Sequence, residues 1–367
     1  MNKKLTLLTG GLLLLAGSFA QQDTTQTLGG GAVDQTTIDS LGLVNPVLQK
    51  KYNEGVKAFT SKQYMNAVQS FTEVILMDAN YTDAYFYRGQ AFKGLDKGAE
   101  AIKDFNQTLI LDPSKAEAAY FSGTIQLDMN ELADAVASFD KAASIDIKNE
   151  KYPYFKGVAL FQQNEFEKAI TAFDEAVKRK SDYAYAYNDR GSAKMQIGDL
   201  DGAIADYKNA VRHDNYLSFA YNNLGSAYRA KKDYKSAEKN YTEALKRDPK
   251  YHVAYNNRGT ARYLQGDYKN ALSDYTKAIE LNASYAFAYN NKASVYIQME
   301  NYKEAVKACD KAIEIDPEYM EAFVNRGIAK EMLKDLDGAC ADWQDAFILG
   351  SENAENYVNG PACADKQ

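Results

Sequence analysis

The sequence holds very few histidines and cysteines, two side chains on which many enzyme and metal sites depend. It has two histidines, His213 and His252, and neither stands at a metal-binding spacing. We find no phosphate-binding loop, no nucleophile elbow, no Cys-x-x-Cys pair and no paired-carboxylate signature. We therefore expect a non-catalytic protein with no cofactor and no metal site.

An excess of positive charge is also missing. The formal net charge is −7, and it becomes −9 if an N-terminal segment carrying Lys3 and Lys4 is removed. An acidic surface repels phosphate backbones, and the short basic runs at 178–180 and 231–232 are too small to reverse this. We therefore expect no nucleic-acid partner.

A long apolar run occurs only near the start of the chain. Lys3 and Lys4 precede an apolar stretch, residues 5–16, that is too short to span a membrane. The small residues Ser18 and Ala20 around Phe19 are typical of a cleavage site. Residues 1–20 are therefore predicted to be a signal peptide cleaved after Ala20, and no membrane span is expected.

The expected location follows from that leader. Ser18 stands where a bacterial lipoprotein would carry its lipid-accepting cysteine, so the mature chain is expected in the periplasm, or outside the cell or at the outer membrane. Residues 21–47 are rich in Gln, Thr and Gly and have few large apolar groups. Such a composition favours a flexible linker.

The rest of the chain is repetitive. The stretch Ala254-Tyr255-Asn256-Asn257 recurs in close copies at Ala220 and Ala288, 34 residues away on either side. Extending this period from Leu48 to Asn353 gives nine contiguous units without insertion or deletion: 48–81, 82–115, 116–149, 150–183, 184–217, 218–251, 252–285, 286–319 and 320–353. The period predicts a stacked array of small identical folding units.

Three columns recur through these units. The twentieth place is always alanine, as at Ala271, and the eighth is glycine except at Ala293. The twenty-fourth place is aromatic, as at Tyr275, except at Cys309. Helical spacings on both sides of Gly266-Asp267 predict a helix–turn–helix hairpin whose small residues let the two helices approach closely.

These columns resemble the tetratricopeptide repeat. The resemblance rests on the Tyr255-x-x-x-Gly259 pattern, the Gly266-Asp267-Tyr268 turn and the aromatic and alanine places of the second helix, and it covers residues 48–353. It implies an all-α fold, a right-handed α-solenoid superhelix whose first helices line a concave groove, closed by a capping segment at 354–367. It also implies a protein or peptide partner.

Two columns of asparagines are the predicted peptide-binding residues. Counted around the helix from Tyr255, Asn256 and Asn257 point away from the core and toward the expected groove. Because an amide both donates and accepts hydrogen bonds, it suits a peptide backbone. The second column resembles the asparagine ladder of O-linked N-acetylglucosamine transferase. The predicted set, with two aromatic residues as apolar pockets, is Asn188, Asn222, Asn223, Asn256, Asn257, Asn290, Asn291, Asn325, Phe219 and Phe287. The alternative is that the asparagines only keep an exposed helix face soluble.

The same two places are aromatic in the second to fourth units. They form a predicted aromatic strip: Phe86, Tyr87, Tyr120, Phe121, Tyr154 and Phe155. An exposed apolar strip of this extent is typical of an interface. It could bind an amphipathic segment, form a weak homodimer or stack on sugars. The alternative is packing of the rings against one another within the chain.

The three cysteines fall into two classes. Cys309 stands in the core aromatic column and is expected to be a buried thiol. Cys340 and Cys363 lie 23 residues apart in the last repeat and just beyond it, and in an exported protein this pair suggests a disulfide.

Taken together, these sequence features predict a scaffold that binds an extended peptide of a partner in the groove, in envelope assembly or secretion. The alternative is a carbohydrate-binding module that uses the aromatic strip.

Overall fold

A computed structural model describes residues 45–360 and Cys363. The predicted signal peptide and residues 21–44 of the predicted linker lie outside this part of the chain. All regular secondary structure in the described part is helical. No helix within it is both long enough and apolar enough to cross a membrane.

The described helices divide between two compact units, one within residues 45–198 and the other within residues 199–360 and Cys363. The first unit contains α1 (Pro46–Thr60), α2 (Tyr64–Met77), α3 (Thr82–Lys93), α4 (Gly98–Leu111), α5 (Ala116–Asp128), α6 (Leu132–Ile145), α7 (Lys151–Gln162), α8 (Phe166–Arg179) and α9 (Ala184–Gln196). The second contains α10 (Leu200–His213), α11 (Ser218–Ala230), α12 (Tyr234–Arg247), α13 (His252–Leu264), α14 (Tyr268–Leu281), α15 (Ala286–Gln298), α16 (Tyr302–Ile315), α17 (Met320–Met332), α18 (Leu336–Ile348) and α19 (Glu352–Val358).

Within each unit, every complete repeat supplies one pair of packed helices, and the pairs stack in chain order. The fifth repeat is divided, with α9 in the first unit and α10 in the second. The alanine column is completely buried, and so are the rings of the aromatic column, such as Tyr275. The glycine column lies against those rings, because a Cβ on Gly259 would be only 2.8 Å from Cε1 of Tyr275. Glycine is therefore needed for the aromatic ring as well as for close approach of the helices.

The turn between the two helices of a repeat uses a left-handed residue. Its φ is +82° at Gly266 and +81° at Gly198, but the same place is filled by side-chain-bearing residues in other repeats. Those residues are Lys62, Asp96, Asn130, Asn164, Lys232, Glu300 and Lys334. The turn geometry is thus kept through the array even where the sequence lacks the glycine that favours it.

Both ends of the array differ slightly from the predicted boundaries. Helix α1 begins at Pro46 because the side chain of Asn45 accepts a hydrogen bond from the backbone N–H of Val47 at 3.0 Å and proline suits the first helical position. The predicted linker, 21–47, therefore extends too far at its C-terminal end. At the other end α19 begins at Glu352, inside the predicted ninth repeat.

The last helix packs on the final hairpin. The ring of Tyr357 in α19 stacks on Trp343 of α18 with centroids 4.8 Å apart. The Sγ atoms of Cys340 and Cys363 are bonded, which ties the chain after α19 back to α18. The remaining cysteine, Cys309, is a completely buried thiol whose pKa burial raises.

Candidate functional site

The predicted asparagines are buried. Their side chains are between 0% and 3% exposed in every case: Asn188, Asn222, Asn223, Asn256, Asn257, Asn290, Asn291 and Asn325. An open binding groove would leave such side chains accessible to a ligand. Their predicted exposure is therefore wrong.

The asparagines of neighbouring repeats hydrogen-bond to one another. Asn257 donates from Nδ2 to Oδ1 of Asn222 at 3.0 Å, and Asn291 donates to Asn256 at 2.9 Å. In the last pair, Asn325 donates to Oδ1 of Asn290 at 2.8 Å. The sixth place of one repeat thus contacts the fifth place of the repeat before it. We call this set of contacts between adjacent first helices the asparagine layer.

The asparagines are buried because the first helix of the neighbouring repeat covers them. A helical wheel shows where a side chain points on its own helix, but burial here comes from the first helix of an adjacent repeat, whose contacting asparagine lies 35 residues away in the chain. The amides meet there in pairs, and a buried amide needs such a partner. Direct contact between these amides and a peptide backbone would require the first helices to separate.

The predicted aromatic strip has the same arrangement. Phe86 packs on Phe121 with ring centroids 6.0 Å apart, and Tyr120 packs on Phe155 at 5.5 Å. Each pair again joins the fifth place of one repeat to the sixth place of the next.

The burial of the strip differs from the prediction. Phe86 and Tyr154 are buried, whereas Tyr87 and the other three rings are partly exposed. Tyr87 also stacks on Phe71 of the core at 6.0 Å. The predicted exposure is therefore wrong for Phe86 and Tyr154, whereas the other four rings keep part of their surface accessible while they pack on one another and on the core. The glycan surface and the homodimer interface that depended on it have no further support.

Tyr154 of the predicted aromatic strip and Asn188 of the predicted asparagine columns both hydrogen-bond to Asp189. The hydroxyl of Tyr154 donates to Oδ2 of Asp189 at 2.8 Å, and Nδ2 of Asn188 donates to Oδ1 of the same carboxyl at 2.9 Å. Burial raises the pKa of Asp189 to about 6, although both hydrogen bonds act to lower it. This carboxyl stands in the place that asparagine fills in later repeats.

In the second compact unit, other side chains of the first helices remain partly exposed. Phe219 near the start of α11 and Phe287 near the start of α15 are both partly exposed. The ring of Phe287 packs on Tyr285 at 5.6 Å and on Tyr319 at 5.2 Å, so its position is defined. We call the partly exposed first-helix residues Phe219, Arg229, Tyr263 and Phe287 the first-helix face.

Sequence reasoning missed Arg229 of this face. It occupies the twelfth place of its repeat, where Phe161 and Ile297 stand in others. The Nε and Nη1 atoms of Arg229 are buried and have no hydrogen-bond partner. The twelfth place is apolar or aromatic in six of the nine repeats and charged in the other three, at Lys93, Arg229 and Glu331, so the column alone does not single out Arg229.

Most other buried charges are paired. Arg258 donates from Nη2 and Nε to the two carboxylate oxygens of Asp274, at 2.7 and 3.0 Å. Arg88 and Arg326 make the equivalent contacts with Asp104 and Asp342. Within residues 45–360 and 363, no group of three potential ligands is placed to hold a metal ion. These ion pairs join the two helices of a repeat and have a structural role.

Comparison with known proteins identifies the repeat. A family model described as "Tetratricopeptide repeat" matches residues 218–251, 252–285 and 286–319, and a second model with the same description matches 94–150 and 154–218. Together the matches cover more than half of the chain. No curated protein matches the sequence.

Two solved structures with TM-scores above 0.5 show the same fold, and a third is similar to about half of this chain. A tetratricopeptide repeat protein from Parabacteroides merdae is 17% identical with a TM-score of 0.52, over 69% of this chain and 97% of its own. The APC/C hetero-tetramer Cut9–Hcn1 is 18% identical with a TM-score of 0.52, over 79% of this chain and 58% of its own. The MamA protein is 28% identical over 48% of this chain and 95% of its own, with a TM-score of 0.41.

Proposed function

Because the chain belongs to the tetratricopeptide repeat family, we propose that it is a non-catalytic protein–protein interaction scaffold that binds an extended peptide segment of a partner. Repeats of this family form protein-binding scaffolds, and stacked helix pairs present long surfaces suited to extended ligands. We further propose that it acts after export, in assembly or secretion at the bacterial envelope.

The observation that supports this proposal is a difference in burial between residues of the same first helices. The asparagine layer is buried between repeats, whereas Phe219 and Phe287 remain partly exposed on the same helices. Aromatic side chains held in place by packing give large contact areas at a low cost in conformational entropy. Recognition is therefore assigned to the first-helix face, with the asparagine layer holding that face in position.

Two further observations support export. The N-terminal sequence has the charged, apolar and small-residue regions of a signal peptide. The disulfide between Cys340 and Cys363 suits an oxidising compartment, because such bonds are rare in the reducing cytosol. N-terminal sequencing of the protein recovered from fractionated cells should begin at Gln21, in a fraction outside the cytoplasm. Recovery of uncleaved chain from the cytoplasm would contradict this part of the proposal.

The binding proposal is tested with the mature chain, residues 21–367, and a displayed library of random peptides. Selected peptides are synthesised and their dissociation constants measured by fluorescence anisotropy. The double variant Phe219→Ala, Phe287→Ala should weaken binding about tenfold or more, because buried aromatic contacts dominate such interfaces. Phe347→Ala is the matched control, since Phe347 is 45% exposed on a second helix of the same unit.

The outcomes are distinct. Equal affinity of the double variant and the control would show that the first-helix face is not the binding site. Failure to select any saturable peptide ligand would contradict peptide binding itself. Circular dichroism of each variant checks that the helical fold is retained.

A further inference from the structure

A cavity of about 440 Å³ lies in the first unit, between the second helices α6 and α8 of the third and fourth repeats. The buried part of its lining is apolar, because Leu160 of α7 and Ala172 of α8 are each only 4% exposed. Val136 of α6 adds to this apolar lining. Ligand sites in proteins typically have volumes of about 300–1,000 Å³, so the cavity is large enough to hold a ligand.

The corresponding position between the sixth and seventh repeats is filled by charged side chains of the chain itself. Counted by place in the repeat, the three apolar lining residues correspond there, in chain order, to three charged ones: Glu238, Arg262 and Asp274. Nε of Arg262 donates to Glu238 at 2.8 Å, and its Nη1 donates to Asp274 at 2.8 Å. An arginine side chain thus crosses this position in the seventh repeat, and the fourth repeat has a cavity instead.

The rim of the cavity carries hydrogen-bond acceptors. Three carboxylates and two ammonium groups also line it: Asp140, Glu165, Glu175, Lys156 and Lys168. Nζ of Lys156 donates to Oδ1 of Asp140 at 2.5 Å, and Arg179 donates to Oε1 of Glu175. The side chains of Asp140 and Glu175 are 55% and 48% exposed, so part of each carboxylate remains accessible to a ligand. The cavity therefore combines a buried apolar part with an acidic rim.

We propose that this cavity binds an arginine side chain of a partner protein. The aliphatic part of the arginine lies on Leu160 and Ala172, because long basic side chains bury their stems along apolar surfaces. Its guanidinium donates to the rim carboxylates, Asp140 and Glu175, in charge-assisted hydrogen bonds. The bound side chain takes the position that Arg262 fills within the chain in the seventh repeat. The site is separate from the first-helix face, whose residues all lie in the second unit.

The choice of arginine follows from the arrangement of the acceptors. Asp140 lies on α6 and Glu175 on α8, so the carboxylates approach the cavity from both sides of the groove. A guanidinium offers five donors in a planar fork and has no acceptor, which suits carboxylates on two sides. A lysine ammonium is a compact point charge and is expected to bind less tightly.

The experiment uses the mature chain, residues 21–367, with labelled leucine and valine methyl groups. The probe is an acetylated and amidated tripeptide, Ala-Arg-Ala, and the methyl signals of Leu160 are followed by NMR at fixed ionic strength. These signals are assigned through their loss in Leu160→Met. We expect a saturable shift with the arginine peptide and weaker binding when lysine replaces arginine. Citrulline, which has the shape of arginine without its charge, should give no saturable shift.

The carboxylates are tested by substitution. Glu175→Gln should raise the dissociation constant of the arginine peptide about threefold, as expected for one partly exposed charge pair. Glu167→Gln is the matched control, because Glu167 is an exposed carboxylate of the same helix outside the cavity, and it should leave the dissociation constant unchanged. Equal weakening by the two variants would show that only the overall charge attracts the peptide, and would overturn the site.

A variant with its own arginine should close the cavity. Leu160→Arg combined with Ala172→Asp rebuilds in the fourth repeat the pair that Arg262 and Asp274 form in the seventh. We expect this double variant to lose binding of the arginine peptide. Retained binding in a variant with an unchanged circular dichroism spectrum would overturn the proposal. If the double variant does not fold, the comparison of Glu175→Gln with Glu167→Gln still decides the question.

Free arginine distinguishes a partner protein from a small molecule. It carries the same side chain beside a charged amino group and a charged carboxylate. Tighter binding of free arginine than of the blocked tripeptide would identify a small-molecule site and overturn the assignment to a partner. No saturable shift with the tripeptide, or equal affinity for the lysine or citrulline peptide, would contradict an arginine site. The variant Phe219→Ala, Phe287→Ala should bind the tripeptide as the wild type does, so this inference and the proposed function can fail independently.

Discussion

Asn257 donates a hydrogen bond from Nδ2 to Oδ1 of Asn222, 3.0 Å away in the preceding repeat, and both side chains are at most 3% exposed. The contact joins the fifth place of one repeat to the sixth place of the next. In the second to fourth repeats these two places are joined by aromatic packing instead, as where Phe86 packs on Phe121. Two different chemistries therefore serve the same junction between repeats, one polar and directional and the other apolar.

The asparagine layer should contribute to stability. Asn257→Ala leaves Oδ1 of Asn222 buried without its donor, which costs about 1–3 kcal/mol of unfolding free energy. Urea unfolding followed by circular dichroism measures the loss. Asn215→Ala, at an exposed asparagine of the same unit, should change stability by less than about 0.5 kcal/mol. Equal effects of the two variants would show that the amide pair contributes nothing specific.

The eighth repeat has alanine in the glycine column and cysteine in the aromatic column. It should tolerate the combined exchange Ala293→Gly and Cys309→Tyr better than Cys309→Tyr alone. Ala293 and Cys309 lie in one buried core cluster and hold the places of Gly259 and Tyr275. The smaller Cys309 leaves room for the Cβ of Ala293, whereas a Cβ on Gly259 would lie 2.8 Å from Tyr275. Cys309→Tyr alone should cost about 1–3 kcal/mol by overpacking.

Adding Ala293→Gly to Cys309→Tyr should recover at least half of that loss, since it restores the pair found in the other repeats. Ala293→Gly alone is the control and should be destabilising. Strictly additive losses in the double variant, measured by urea unfolding, would contradict the reciprocal packing.

The buried carboxyl of Asp189 should make stability depend on pH. Its pKa is raised from 3.8 to about 6 by burial, so between these values the folded chain binds more protons than the unfolded chain. The contribution of Asp189 to stability is complete below about pH 4 and is lost as the pH rises through about 6. Relative to Asp189→Asn, the wild type should lose about 2–3 kcal/mol over this range.

Thermal or urea unfolding from pH 4 to pH 7.5 measures this difference. Asp182→Asn, at an exposed aspartate of the same unit, is the control and should follow the wild-type profile. Parallel profiles for wild type and Asp189→Asn would show that Asp189 does not titrate in this range.

The C-terminal disulfide should stabilise the last hairpin. Replacing Cys340 and Cys363 by serine, or reducing the bond, should cost about 2–4 kcal/mol, mainly because the unfolded chain gains freedom. Fluorescence of Trp343, which stacks on Tyr357, reports on this end of the chain. Cys309→Ser is not a suitable control because that thiol is buried, so wild type with and without reductant is compared with the double variant. A reductant effect of equal size in the double variant would show that the bond is not its cause.

The fold could be predicted from the sequence because the period is exact in length and its columns repeat the same core. Glycine, alanine and aromatic places such as Gly259, Ala271 and Tyr275 carry enough information to define a helix pair. The ends of the array do not follow from the period, because the start of α1 depends on a single cap, Asn45.

The candidate site could not be predicted in the same way. Exposure of Asn256 and Asn257 depends on the first helix of the adjacent repeat, which a helical wheel does not contain. Arg229 was missed because its column is not uniform, with Lys93 and Glu331 as further charged members, and columns were compared for what they share. Repeated residues thus indicate the shared framework, and departures from the repeat indicate the residues available for a specific ligand.

The central claim is that the asparagine layer stabilises the stack and the first-helix face binds the ligand. The most direct test measures peptide affinity and unfolding midpoint side by side for Asn257→Ala and for Phe219→Ala, Phe287→Ala. The account predicts that the asparagine variant loses stability but, below its unfolding transition, keeps its affinity, whereas the phenylalanine variant loses affinity about tenfold or more and keeps most of its stability. The opposite pattern, with affinity lost in Asn257→Ala and retained in the phenylalanine variant, would contradict it.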